Sequence, residues 1–171
     1  MSKSLIRRMT EADLEQVLEW RNHIDIRKYM YTQDKISMSE HVKWYERCSK
    51  MDTKTLLIFE SHGKSLGFIN FSRIKNSDIS DWGFYVAPNA AKGSGRELGR
   101  LAINFAFAEL KFHKICGQAL SYNERSINFH RSLGFQKEGV LRDQYQVDKQ
   151  FYSVVCFGLL VKEWHMTFKE R

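Results

Sequence analysis

The sequence predicts an α+β domain, a mixed and mostly antiparallel sheet flanked by helices, and three observations predict it. Six β-rich runs are separated by turn signals, and four stretches repeat apolar residues at helical spacing. Their order, ααβββαβαββ, places three strands in succession where a doubly wound sheet would alternate strand and helix. With 171 residues, 43% of them hydrophobic, the chain suffices for one domain with a sizeable core and falls short of two typical ones. Residues 1–171 therefore read as a single domain.

The elements follow in order. "TEADLEQVLEWRNH" opens on Thr10 three before Asp13, a capping-box-like pair, and spaces Leu14, Val17 and Leu18 on one helical face. "SMSEHVKWYERC" repeats the device with Ser37 and Glu40, then Val42, Tyr45 and Cys48. Three strands come next, "TLLIFE" from Thr55, "SLGFINFSRI" from Ser65 and "SDWGFYVA" from Ser80, with "SHGK" and "KNSD" as turns. After Pro88, "RELGRLAINFAFAEL" sets Leu98, Leu101, Ala102 and Phe105 on one stripe of a long helix. "KICGQAL" reads as a buried strand. "NERSINFHRSLGF" reads as a short helix with Asn123 as N-cap and Gly134 as its stop. "VLRDQYQVD" and "FYSVVCFGLLV" form a closing hairpin.

Charge and cysteine usage narrow the function classes. A formal charge of +7 favours an anionic partner, and Lys and Arg are scattered rather than blocked, which weakens the charged-tail and membrane readings and leaves a phosphate-bearing small molecule in the lead. The non-enzyme alternative is a basic RNA-binding module, which would interleave exposed aromatics with cations on one face, whereas here the aromatics alternate inward along strands. The N-terminus turns charged before a signal-peptide core forms, and no run of about 18 apolar residues occurs. Cys48, Cys116 and Cys156 are odd in number and form no CxxC pair, so no metal or redox disulfide is expected, and Cys116 and Cys156 read as small packed hydrophobes. A cytoplasmic protein fits, with the oligomeric state open up to a homodimer.

One stretch bears chemistry. In "VAPNAAKGSGRELGR" a Gly-Ser-Gly turn joins a strand to a helix, so that backbone approaches a ligand closely and unpaired first-turn N–H groups point at it, with Lys92 and Arg96 as charged neighbours. Neither GxxxxGK[ST] nor GxGxxG is present, which sets aside a Walker loop and a nicotinamide fold. Together with "NERSINFHRSLGF" downstream, this stretch resembles the GCN5-related N-acetyltransferase family. That family's phosphate loop has the form (Arg/Gln)xxGx(Gly/Ala), and its later helix often reads Asn-x-x-Ala/Ser and ends in Gly-Phe. Gly93, Ser94 and Gly95 match the loop; Asn123, Ser126, Gly134 and Phe135 match the helix. The resemblance departs at Ala90, where the family has Arg or Gln, and at His130, where it often has Tyr.

The resemblance implies acetyl-CoA as co-substrate, no metal, and an amine as acceptor attacked directly, without an acetyl-enzyme. Such chemistry needs a neutral amine, fixed donors for the carbonyl oxygen, and a stabilised or protonated leaving thiolate. Backbone N–H groups near Phe84, Tyr85 and Val86 are the expected oxyanion donors, with Lys92, Gly93, Ser94, Gly95, Arg96, Asn123 and Ser126 on the coenzyme. His130 is the candidate acid, its alternative being a packed or capping histidine. Asp81 is the candidate base, its alternative a turn residue, and Tyr85 a contact for the acceptor or a core aromatic.

Within the family, "LEWRNHIDIRKYMYT" resembles the branch that acetylates the 4-amino group of a UDP-linked 4-amino-4,6-dideoxy-N-acetylaltrosamine in pseudaminic acid synthesis. Trp20, Arg21, Asn22 and His23 match its (Trp/Phe)-Arg-Asn-His run, Met30 and Tyr31 a following pair, and His41 a helical histidine. The implied partners are acetyl-CoA and a UDP-amino sugar. Arg21, His41 and Arg73 suit the second diphosphate, Met30, Tyr31 and Trp44 the 6-deoxy methyl group, and Asn70 and Ser72 a further polar contact. Each of these also has a structural alternative, as a helix end or as core. The rivals are a ribosomal-protein or peptide N-terminal acetyltransferase, or one for another small amine; a cationic peptide end would call for an acidic cluster, and none is obvious.

Overall fold

The computed structural model describes residues 4–169. Seven strands, β1 (Leu5–Arg8), β2 (Lys54–Ser61), β3 (Lys64–Arg73), β4 (Ile79–Val86), β5 (Lys114–Leu120), β6 (Gln136–Val147) and β7 (Gln150–Leu160), form one sheet in the order β1-β2-β3-β4-β5-β7-β6. The six helices are α1 (Leu14–Asn22), α2 (Ile24–Arg27), α3 (Met38–Cys48), α4 (Ser94–Ala108), α5 (Glu124–Ser132) and α6 (Val161–Lys169). All pairings are antiparallel except β4 with β5, which α4 connects; a parallel pair needs such a crossover.

Local chemistry sets the helix ends as expected. Ser37 N–H donates to Glu40 Oε2 at 2.8 Å while Ser37 Oγ accepts from the Glu40 amide, a complete capping box. Asn123 Oδ1 accepts from Ser126 N–H at 3.1 Å, and Gly134, at φ 89°, ends α5. Asp13 Oδ2 accepts from Thr10 N–H at 2.8 Å, but the turn it starts is 3-10 over Glu11–Asp13, and α1 begins only at Leu14.

Three elements are absent from the sequence expectation. β1 is four residues, two of them arginines, and shows no alternation of apolar and polar; Arg7 is held instead by Asp13 and Glu60. α2 is a single turn after α1. α6 follows β7 without a break, so its Trp164 extends an apolar run already assigned to a strand; the Trp164 indole donates to Asn104 Oδ1 at 2.7 Å and joins the core.

The sheet divides two apolar layers. Leu98, Ala102, Ile103 and Ala106 of α4 pack with Leu133, Phe135, Phe157 and Trp164 on one face. Val17, Trp20, Ile26 and Cys48 pack with Ile58 and Phe68 on the other. The period-two alternation of β4 sends Trp82 to the first face and turns Asp81, Gly83 and Tyr85 toward the second, under α1 to α3.

Candidate active site

β4 and β5 are bonded only from Ile79 opposite Lys114 to Asp81 opposite Cys116. Beyond that point β4 stays with β3 and β5 stays with β7, so the sheet splits into a V. The split opens a cleft of about 860 Å³ whose walls include Trp82 to Val86, Gln118, Asn123, Ser126 and Gly95. Strand parity decides which amides face it. Ala87 N–H bonds to Leu66 of β3, so the backbone of Tyr85, two residues earlier, is also turned to β3, and the amides of Phe84 and Val86 are the ones directed into the gap. Tyr85 is thereby corrected as an oxyanion donor; its ring lies in the cleft wall against Phe68.

At the open end of the V, the chain turns through Gly93 at φ 97°, a left-handed conformation that glycine adopts without strain, and enters α4. No side chain caps this helix, and nothing lies within 4 Å of where a Gly93 side chain would be. Its first-turn N–H groups and positive dipole end are therefore open to an anion, flanked by exposed Lys92 and Arg96. This cradle fits a coenzyme pyrophosphate by backbone. Ala90, at the family's Arg/Gln position, packs into the apolar layer under α1 to α3 and contributes no donor.

Asp81 stands at the crotch of the V, lines the cleft, and has its carboxyl pKa raised by desolvation, with Lys54 acting against the shift. His130 is placed differently from expectation. It is 1% exposed, its Nε2 accepts from the Trp82 indole N–H at 3.1 Å, and its Nδ1 donates to the Ser126 carbonyl at 2.8 Å. Burial pushes its pKa down to about 4, so the ring is neutral with its one proton bound inside its own helix. The expectation that His130 donates a proton to the leaving group is corrected on this geometry.

The part of the cleft expected to take the acceptor lies under α1 to α3. Arg21 Nη2 donates to the Thr32 carbonyl at 2.6 Å, while its Nη1 is buried without a partner; His41, 4% exposed and stacked on Trp44 at 5.1 Å, has an equally unpartnered Nε2. Burial lowers the pKa of both. Met30, Tyr31, Trp44 and Asn70 also line this part. Asn22 bonds Ile36 through both ends of its amide, and His23 caps α2, so these two positions shape the backbone rather than the cleft.

Two expected residues lie elsewhere. Arg73 donates to Asp78, Ser77 and Leu110 and covers the Phe112 ring at 4.6 Å, beyond the closed end of the V. Ser72 accepts from Lys54 Nζ at 2.6 Å and does not line the cleft. Sequence reasoning missed Trp82, Gln118 and Cys116. Gln118 accepts from the Tyr31 hydroxyl at 2.8 Å, a link across 87 positions with no local signal. Cys116 and Cys156 are half-buried on the acceptor side of the sheet, and burial raises the pKa of the Cys116 thiol, the one in the cleft wall. Among the described residues, no three His, Cys, Asp or Glu side chains gather to hold a metal, and no helix is long and apolar enough to cross a membrane.

A split parallel pair with an uncapped helix beyond a glycine turn places a backbone anion cradle at the mouth of the cleft. Residues 4–136 match the acetyltransferase (GNAT) domain model, and the chain belongs to that family. It is 29% identical over 127 residues to the SPbeta prophage-derived uncharacterized N-acetyltransferase YokL of Bacillus subtilis, covering 72% of this chain and 71% of that one. It is 25% identical over 146 residues to acetyltransferase PseH of Campylobacter jejuni, covering 85% and 87%. Its fold matches the crystal structure of spermidine N-acetyltransferase from Vibrio cholerae in complex with CoA and spermine, with a TM-score of 0.88, 19% identity, and 95% and 98% of the two chains covered. The protein is an acetyl-CoA-dependent N-acetyltransferase.

Proposed function

We propose that the acceptor is the 4-amino group of a UDP-linked 4-amino-4,6-dideoxy-N-acetylaltrosamine, as in pseudaminic acid synthesis. One observation carries this reading: the unpartnered buried polar atoms in the acceptor end are Arg21 Nη1 and His41 Nε2, whereas two of the acidic side chains there are already engaged. Asp25 is paired with Lys28 at 2.8 Å, and Glu40 is spent on the Ser37 cap. Arg21 Nη1 can only donate, and a buried donor left unmade is costly, so the site is completed by a ligand that brings acceptor oxygens, as a nucleotide diphosphate does; the neutral His41 ring, bonded to the Leu14 backbone through its other nitrogen, offers Nε2 as an acceptor to a ligand hydroxyl or N–H. Met30 and Trp44 supply an apolar wall for the 6-deoxy methyl group, and the Asn70 amide a hydrogen-bonding contact.

In the reaction, the neutral amine attacks the thioester carbonyl carbon, the oxygen gains charge against the Phe84 and Val86 amides, and the C–S bond then breaks. Asp81 takes the amine proton, directly or through one water. The coenzyme's alkyl thiol is far more acidic than the amine, so it departs as a thiolate without a dedicated acid. Gly93, Ser94, Gly95, Lys92 and Arg96 hold the coenzyme pyrophosphate, and Asn123 and Ser126 line its reactive end. Three unpaired cysteines fit a reducing cytoplasm.

A second reading, a polyamine acceptor, is favoured by the Asp81 carboxyl in the cleft wall and by the spermidine acetyltransferase with the same fold. Thiol release from acetyl-CoA against the UDP-4-amino sugar, spermidine, a peptide amine and an aminoglycoside separates the readings. Turnover is expected with the UDP-sugar, falling about tenfold or more in kcat/KM for Arg21→Ala. Preference for spermidine, unharmed by Arg21→Ala, selects the second reading.

A further inference from the structure

We infer that His130 is a positioning residue, which ties Trp82 of β4 to the first turn of α5 and so holds the width of the gap into which the Phe84 amide points. The inference uses the acetyl-transfer chemistry alone and does not depend on which amine is accepted.

The tie is complete at both ends. An indole nitrogen donates only, so His130 Nε2 must present its lone pair to Trp82, and the ring proton must sit on Nδ1, where it meets the Ser126 carbonyl. Ser126 N–H in turn donates to the Asn123 cap, which joins the tie to the start of the helix that lines the cleft. Trp82 is the first residue of β4 after the last pair with β5, so the bond crosses from one arm of the V to the helix behind the other at the point where backbone pairing stops.

The surroundings leave the ring one pose. His130 lies flat on Phe157 at 4.8 Å and 4° and stands edge-on to Phe135 at 5.1 Å. Trp82 is itself stacked on Phe135 at 5.3 Å. Gly117 of β5 passes directly beneath: a side-chain carbon there would collide with His130 Nε2 and lie 2.9 Å from Trp82 Nε1. Glycine at this place in a buried strand, where it contributes no packing of its own, is explained by the tie it makes room for. Phe84, whose amide faces the gap, is in ring contact with both Trp82 at 4.6 Å and His130 at 5.7 Å. Moving either partner therefore moves the backbone donor of the oxyanion, and positioning errors at that scale cost rate rather than binding.

The test is a double-mutant cycle on His130→Phe and Trp82→Phe, with His130→Gln as the conservative variant, since a glutamine oxygen can accept from the indole but cannot serve as an acid. The readouts are kcat for thiol release from acetyl-CoA, with the best amine of the panel above and with water alone, and CoA affinity by calorimetry. Expected are losses of about tenfold or more in kcat for each Phe variant, CoA affinity held within about threefold, a double variant no slower than the worse single one, and recovery in His130→Gln. Wild-type kcat in Trp82→Phe beside a slow His130→Phe would overturn the inference in favour of a proton-donor role. Independent, multiplying losses, or a His130→Gln as slow as His130→Phe, would overturn it as well.

Discussion

Asp81 and His130 show how one cleft sets two titratable groups apart. Desolvation raises the Asp81 carboxyl, which Lys54 opposes, and lowers the His130 imidazole, so the His130 ring is held uncharged while Asp81 is the proposed base. Asp81→Asn is expected to lower kcat by about 10²-fold or more and to remove the acid limb of the kcat/KM profile, whose midpoint is shifted upward by desolvation. The sign for His130 follows from linkage. Its folded pKa of about 4 lies below the ordinary 6.5, so the unfolded chain binds the extra proton, and stability present above pH 6.5 is lost as pH falls toward 4. The loss amounts to about 3 kcal/mol for a difference of that size, and denaturant unfolding at pH 7 and pH 4 should show it shrinking in His130→Gln. Cys116, beside Asp81 and kept as a thiol by burial, is not required for direct attack, and Cys116→Ala should retain turnover in the thiol-release assay.

At the level of elements, what the sequence makes legible is what local chemistry decides. The capping box at Ser37 and Glu40, the Asn123 cap, the Gly134 stop and the strand runs at 54–61 and 64–73 all rest on residues within a few positions of one another. Ser37→Ala is expected to destabilise the fold by about 1 kcal/mol, measured by chemical denaturation. Gly93→Ala meets no clash but forces a side chain into φ 97°, so it should cost about 1 kcal/mol and raise the KM for acetyl-CoA. What the sequence leaves hidden is set at long range. β1 forms by pairing Leu5–Arg8 with residues 57–60, about 50 positions away, Arg7 also bonding Glu60, and His130 meets Trp82 across 48 positions. The motif register places His130 beside the coenzyme but is silent on where its proton goes. Arg73 and Ser72 illustrate the converse, polar strand residues that point toward the site in sequence and are consumed by Asp78 and Lys54 in space.

On the proposed reading, the whole molecule joins two anionic substrates at the split of one sheet: a coenzyme pyrophosphate at the backbone cradle before α4, and a UDP-amino sugar beneath α1 to α3. A net charge of +7 spread over the surface aids capture of both, and the KM values for both substrates should rise together with ionic strength. A polyamine acceptor would respond in the opposite sense. The sharpest measurement is the specificity ratio from thiol release with acetyl-CoA, comparing the UDP-4-amino-4,6-dideoxy sugar with spermidine in the wild type and in Arg21→Ala. A ratio favouring the UDP-sugar that collapses in Arg21→Ala is the expected result; a ratio favouring spermidine, unchanged or increased in Arg21→Ala, would contradict it.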